Sequence, residues 1–309
     1  MLGLGKKMSF KEITQGLVMI NIIIPMEGFD NFMAAWLIRD SGRGQIILAE
    51  TGPSSSLPEL YEDLDALGAE NIDYLIFTHV HLDHSGGAGQ FHEKFPDTKI
   101  IAPDNGRVHL LIPDKLYLAS AKTLGTGIVR GYGEPKPLPG SAFTGKTPEG
   151  LTIIETPGHS SHHAAFLYEL SGKRILFSGE AAGFFYKLPD GGIYQRPATP
   201  HRFFYDTAIE SLDRLTELGD VDIICYPHYG CAVGSETRSA LENARSQLIL
   251  WKRVISDFAA DADVEKIFNA LHEKDALLRG VDKLDKKTFE RESFFIRQSI
   301  RGLMGYIFR

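Results

Sequence analysis

Three features of this 309-residue chain predict an α/β fold, in which helices cover a sheet-rich body and a helical C-terminal quarter follows. The first two hundred or so residues alternate short apolar runs with polar, glycine-bearing connections. Two amphipathic helices with clear stop signals are set among these runs. Beyond Gly234 the apolar residues change to helical spacing and keep it almost to the C-terminus.

The apolar runs place strands at 17–24, 32–38, 45–49, 72–77, 99–102, 151–155, 164–168, 174–177 and 221–225. Ser171, Gly172 and Lys173 read as a tight hairpin turn. In the first helix Leu57, Leu60, Leu64 and Leu67 share a face, Ser56 and Glu59 have the spacing of a capping box, and Gly68 is the stop. A second helix begins near Thr207 and Glu210, buries Ile209, Leu212 and Leu215, and stops at Gly219. Three further helices run through Leu241, Leu248, Trp251 and Phe258, then Val264, Ile267 and Leu271, then Phe289, Ile296, Ile300, Leu303 and Ile307. The Gly- and Pro-rich segment 125–150 reads as a long surface loop.

Composition narrows the function. With 33 basic against 40 acidic side chains the net charge is −7, which argues against a protein built around nucleic-acid phosphates. Two cysteines, Cys225 and Cys231, supply no disulfide framework and no zinc finger, so a reducing, cytoplasmic compartment is expected. The run 17–24 follows Lys6 and Lys7 and superficially resembles a secretion signal. Asn21 interrupts it, Pro25, Met26 and Glu27 stand where small residues would be cleaved, and it is too short to span a bilayer. It is read as a buried strand, and no membrane partner is expected. Residues 140–147, GSAFTGKT, match a phosphate-binding loop in form only. No strand precedes them, and Pro148, Glu149 and Gly150 leave no room for the helix whose amides would hold phosphate.

The chemistry concentrates at strand ends. THVHLDHSGG, residues 78–87, follows the run 72–77 and places His79, His81, Asp83 and His84 within six residues. Packing alone gives no reason to crowd ionisable groups there, whereas nitrogen and oxygen donors together suit borderline-soft divalent metals. Three later runs end the same way: 151–155 leads to His159, 174–177 to Glu180, and 221–225 to His228. Loops at one sheet edge can hold such distant residues in one place. Single histidines elsewhere, His92, His109 and His272, read as ordinary polar residues.

Over roughly residues 17–230 this pattern resembles the metallo-β-lactamase-fold superfamily, marked by H-x-H-x-D-H followed by a histidine, an acidic residue and a histidine at later strand ends. The resemblance implies a four-layer αββα sandwich with a two-metal site in a groove at one sheet edge. It makes 1–234 the metal-binding catalytic domain and 235–309 a C-terminal helical extension like those of glyoxalase II-like and lactonase-like members. His79, His81 and His159 would hold one ion, Asp83, His84 and His228 the other. Glu180 stands where most of the family bridges with aspartate. Glu50, in AETGP, likewise stands where an aspartate is common. A glutamate is one methylene longer, which bears on whether Glu180 reaches both ions.

The activity so implied is that of a metal-dependent hydrolase. Two divalent ions, zinc first and iron or manganese next, would activate a shared water as hydroxide against an ester, lactone or thioester, with Asp83 orienting it. No protein nucleophile is then needed, in keeping with the lack of a G-x-S-x-G elbow. Tyr186, His162, His163 and Tyr229 lie near ligands in sequence and are the candidate proton donors, although His162 and His163 also read as the start of a strand. The aromatic segment 183–206 and the amphipathic stretch 115–128 are the candidate groove walls, with Lys187, Arg196 and Arg202 available to an anion. A small-molecule substrate, anionic with an apolar part, is expected, since the two ions would outweigh Asp83, Glu180 and hydroxide. The apolar density of 294–308 predicts self-association into a homo-oligomer. The alternatives are a diiron redox or oxygen-binding protein of this fold and a non-catalytic metal-dependent sensor. His81 occupies the position where flavodiiron members carry glutamate, which favours zinc or hydrolytic iron.

Overall fold

A computed structural model describes residues 9–308, so Lys6 and Lys7 lie outside the described residues. Two sheets form the centre. The first runs in the order β1 (Phe10–Thr14), β2 (Leu17–Ile22), β3 (Met33–Asp40), β4 (Gln45–Ala49), β5 (Tyr74–Ile76) and β6 (Lys99–Ile101). The second contains β7 (Leu151–Glu155), β8 (Ala164–Leu170) and β9 (Lys173–Phe177); β10 (Phe184–Lys187) and β11 (Ile193–Arg196) form a separate hairpin, and β12 (Ile223–Tyr226) and β13 (Gly230–Val233) complete the second sheet in the order β13-β12-β9-β8-β7. The helices are α1 (Leu57–Ala66), α2 (Leu82–Ser85), α3 (Ala88–Lys94), α4 (Arg107–Leu111), α5 (Asp114–Leu124), α6 (Thr126–Tyr132), α7 (Tyr205–Thr216), α8 (Glu236–Ser256), α9 (Val264–Lys274) and α10 (Lys286–Ile307).

Side-chain alternation along the strands builds four layers. In β2, Leu17 and Met19 point between the sheets, where they meet Trp36, Ile47, Phe166, Ile175 and Ile223. Their neighbours Val18 and Ile20 point outward into the core beneath the helices, with Leu57, Leu60, Leu64 and Phe91. Sheet two alternates likewise: Leu176 and Ile224 face outward into the core shared with Leu212, Leu248 and Trp251. Helix, sheet, sheet, helix is therefore the order. The sheets are tied directly by Trp36 Nε1, which donates to the Tyr226 carbonyl at 3.0 Å, and by the Ala34 amide, which donates to the Pro227 carbonyl at 2.7 Å.

The nine predicted strands all form, with ends shifted by up to two residues. The Ser171-Gly172 turn has φ of +50° and +79°, the left-handed pair that a two-residue hairpin between right-twisted strands requires. Two local readings need correction. Ser56 does not cap α1, because a preceding 3₁₀ turn, Ser54–Ser56, already gives it helical angles, and its hydroxyl donates instead to the Pro53 carbonyl at 2.7 Å. Segment 125–150 is not wholly loop, since α6 occupies its first part. At 140–147 there is a 3₁₀ turn, Gly140–Ala142, and neither strand nor helix flanks it in the manner of a phosphate loop.

The C-terminal helices close over the second sheet. Leu248, Trp251, Ile255, Ile267, Leu271, Ile296, Ile300 and Leu303 belong to the same continuous core as Phe184, Leu212 and Ile224. That packing takes Ile296, Ile300 and Leu303 of α10 into the chain's own core, while Phe294, Met304 and Ile307 are half-buried and Phe308 is exposed. No described helix is long and apolar enough to cross a membrane.

Candidate metal centre

The second sheet pairs β9 with β12 in parallel, and the first pairs β4, β5 and β6 in parallel. Their C-terminal ends point the same way, and each donor group leaves the fold just past such an end. Glu50 follows β4, 79–84 follows β5, Glu180 follows β9 and His228 follows β12; His159 follows β7 in the antiparallel part of sheet two. All seven residues expected from the sequence as ligands come together. Among the described residues, His79, His81, His159 and Glu180 form one cluster and Asp83, His84 and His228 a second; within each, one donor atom per residue lies within 4.8 Å of the others.

The distances show ring nitrogens and carboxylate oxygens converging. His81 Nδ1 lies 3.0 Å from both His79 Nε2 and His159 Nε2. Glu180 stands between the clusters. Its Oε2 is 2.8 Å from His159 Nε2, 3.2 Å from His79 Nε2 and 3.4 Å from His84 Nε2, while Oε1 is 3.2 Å from His228 Nε2. One carboxylate thus faces both groups. Asp83 Oδ2 lies 3.8 Å from both His84 Nε2 and His228 Nε2.

The outer nitrogens fix the orientation of the rings. His159 Nδ1 donates to the Ala198 carbonyl at 3.0 Å and His228 Nδ1 to the Phe32 carbonyl at 3.3 Å, which turns each Nε2 toward the centre. Phe184 stacks on the His228 ring at 5.3 Å. His84 lies between two carboxylates, with Glu50 Oε2 3.7 Å from Nδ1 and Glu180 beyond Nε2. Glu50 itself adopts a left-handed φ of +64° and uses Oε1 to accept from the Thr78 amide at 3.0 Å and hydroxyl at 2.6 Å. The two unusual glutamates thus flank one imidazole.

Charge follows the same plan. Burial holds His79 and His81 well below the usual histidine range, so both are neutral bases. Burial also pushes His84 down, but Asp83, Glu180 and Glu50 outweigh it and hold this ring well above that range. Glu180 is pushed up by burial, yet His159 and His228 overcome this and keep it ionised. A divalent cation fits these donors. Both nitrogens of His84 and Oε2 of Glu50 are buried without a hydrogen-bond partner, and ring nitrogens of His79, His81 and His159 meet at one point.

Sequence reasoning missed one supporting role. His163, fully buried at the mouth of β8, bonds Thr156 Oγ1 through Nδ1 at 2.8 Å and accepts the Glu180 amide on Nε2 at 3.0 Å. It holds the backbone of Glu180 rather than a proton for substrate, and a Cβ on Gly179 would strike it. Burial keeps it neutral, as that acceptor role requires. Of the candidate donors only His162 lines the groove over the centre; burial pushes its pKa down to about 4. Tyr186 and Tyr229 pack on each other, away from the groove lining.

The aromatic wall expected from 183–206 is core instead. Phe184, Phe185 and Tyr194 of the β10-β11 hairpin and Phe203 and Tyr205 at the start of α7 are all buried in the core they share with the C-terminal helices. Arg196 is held by Glu292 at 2.9 Å and Lys187 by Glu236 at 2.6 Å, which leaves Arg202 facing the groove. The stretch 115–128 does contribute a wall through α5, and α10 provides the opposite one.

A family model described as the metallo-beta-lactamase superfamily matches residues 31–228. Among curated proteins the chain is similar to the metallo-beta-lactamase fold-containing protein ST1585 of Sulfurisphaera tokodaii, at 27% identity over 57% of this chain and 66% of that protein. The probable metallo-hydrolase MJ0888 of Methanocaldococcus jannaschii matches at 27%, over 68% of this chain and 93% of its own. A hydroxyacylglutathione hydrolase of Xylella fastidiosa matches at 27%, over 67% and 63%. The matches to the Sulfurisphaera and Xylella proteins therefore span less than two thirds of those proteins' length. Among solved structures, ST1585 superposes with a TM-score of 0.66 at 22% identity, covering 93% of this chain and 98% of that one. TTHA1429 from Thermus thermophilus gives 0.61 at 18%, covering 96% and 94%. These two show the same fold. With its fold, its strand-end donors and the matched family model in agreement, the chain belongs to the metallo-beta-lactamase superfamily.

Proposed function

We propose that the protein is a dinuclear metal-dependent hydrolase of small-molecule esters, lactones or thioesters. The observation that carries this is the convergence of five imidazoles and two carboxylates at the floor of an open groove of about 970 Å³. His79, His81 and His159 would hold one divalent ion, Asp83, His84 and His228 the other, and Glu180 faces both. When bound, the ions supply a water acidified toward neutral pH and polarise the attacked carbonyl oxygen.

The chain's own groups do the rest. Asp83 lines the groove and offers its carboxylate to the attacking water, accepting its proton-bearing side and so aiming the oxygen. Glu180 stays ionised and keeps its place because His163 holds its amide. His162 lines the same groove three residues beyond a ligand and, neutral at pH 7, offers a ring hydrogen bond there rather than an acidic proton. Zinc supports this reading best, since imidazole donors outnumber carboxylates in both clusters. The hydroxyacylglutathione hydrolases among the relatives support thioester as one substrate class.

The test is a panel of one aryl ester, one lactone and one thioester with the zinc-loaded protein. Turnover of at least one, lost with a chelator and reduced about a thousandfold in Asp83→Asn, is expected on loss of both ligation and orientation. Metal-loaded protein inert toward all three classes contradicts the reading.

A further inference from the structure

The groove over the metal centre has walls that the catalytic reading does not use. On α5, Lys115, Leu118, Ala119 and Lys122 all line it, a spacing of three, four and seven that puts them on one helical face. On α10, Phe295, Gln298, Ser299 and Gly302 repeat that spacing from the other side. The α5 wall is therefore apolar or small along its middle and basic at both ends, and the α10 wall is small or apolar except at Gln298, whose Nε2 donates to the Thr123 carbonyl of α5 at 3.3 Å. Lys115 and Lys122 stand about 10 Å apart along the helix axis.

The segment between β11 and α7 closes one end. A Cβ on Gly302 would collide with the carbonyls of Thr199 and Pro200, and Thr199 Oγ1 donates to the Ser299 carbonyl at 2.6 Å, so this segment is seated on α10. It delivers Arg202 to the groove in a left-handed conformation, φ +69°, which an arginine adopts at a cost. Arg301 of α10 lines the groove as well.

The charges are one-sided. The acidic residues lining the groove are Asp83 and Glu180, both at the floor. Lys115, Lys122, Arg202 and Arg301 are exposed, and among the described residues no hydrogen bond or ion pair engages their side chains. Arg196 also borders the groove but is committed to Glu292 and stacks over Phe184. Four such cations around an apolar trough of this volume form a site for a molecule with an apolar arm and an anionic end.

We propose that the substrate is an amphiphilic acyl compound: its scissile carbonyl lies at the floor over Asp83 and Glu180, its apolar arm runs between α5 and α10, and a carboxylate or phosphate on that arm meets Lys115, Lys122, Arg202 and Arg301. This rests on the hydrolase reading for the carbonyl, and on the groove alone for the arm and the anion.

The test uses binding, so that it does not depend on turnover. Three fluorescent dansyl-aminoundecyl probes, ended by a carboxylate, a phosphate monoester or a neutral methylamide, are titrated into zinc-loaded and metal-free protein. At least one anionic probe is expected to bind about tenfold more tightly than the neutral one at low salt, and whichever anion leads identifies the end group. The advantage shrinks as salt is raised. It falls to within about twofold when the four cations are removed as Lys115→Ala, Lys122→Ala, Arg202→Ala and Arg301→Ala together. Equal affinity for all three probes overturns the proposal. So does an anion preference that needs zinc and survives the fourfold variant, since the anion then sits on the metal. Anion preference without hydrolysis of any ester leaves the groove assignment standing and removes the hydrolase reading; hydrolysis without anion preference does the reverse.

Discussion

His84 is the residue on which the centre turns. Its ring is buried, lacks a hydrogen-bond partner on either nitrogen, and has Glu50 on one side and Glu180 on the other. His84→Ala is therefore expected to lower bound metal and abolish turnover, measured together on one preparation; unchanged metal and activity would remove the site assignment. Glu50 acts from behind the ring. Glu50→Gln keeps the size of the side chain but removes the charge facing Nδ1, and metal affinity should fall about 10–100-fold, read by competition with a chelator. The ligand-type residues were legible because each is a histidine or carboxylate placed just past an apolar run. The role of His163 was not, because one histidine beside another at a strand start carries no sign of whether it points at a metal or at a neighbour's amide. Glu50 and Glu180 stood out only as departures from a pattern, and their shared contact with His84 needed three-dimensional placement.

At the scale of elements, the strands were readable because alternation and length are local properties, whereas the β10-β11 hairpin was not. Its residues Phe184, Phe185 and Tyr194 are aromatic, two of them on consecutive positions, and a run without alternation gives the same sequence whether it lines a pocket or fills a core. Tertiary cover decides, and here α8 and α10 supply it. The hairpin is fastened to α10 by an ionic cluster: Glu292, fully buried, accepts from Arg196 at 2.9 Å, Tyr194 at 2.8 Å and Arg291 at 3.0 Å. Glu292→Ala leaves two buried guanidiniums without this partner and should cost about 3–5 kcal/mol, measured by denaturant unfolding. The pH sign follows from the same cluster. Burial pushes Glu292 up, but Arg196 and Arg291 outweigh it and lower its pKa in the folded chain. Its contribution is thus complete above the unfolded value of about 4.3 and is lost as pH falls through the lower folded value. Wild-type stability should therefore drop more steeply with acid below about pH 4 than that of Glu292→Gln, when midpoints are compared across pH. Parallel slopes would show that the cluster is not coupled to folding.

For the whole molecule, the sandwich collects donors from five strand ends on one edge, and the C-terminal helices turn that edge into a groove. Where the helices lie could not be read from their periodicity, which marks an apolar face without naming its partner. The same limit applies to self-association: residues 294–308 carry Ile296, Ile300 and Leu303, all of which pack inside this chain. Light scattering at micromolar concentration addresses that expectation directly, and a strict monomer would contradict it. The central claim, a two-ion hydrolytic centre, is tested most directly by metal analysis of the purified protein with its visible spectrum. Two zinc ions per chain and no visible absorbance are the predicted result. Two irons with an oxygen-sensitive spectrum, or a protein that retains no divalent ion after incubation with excess zinc, would contradict it.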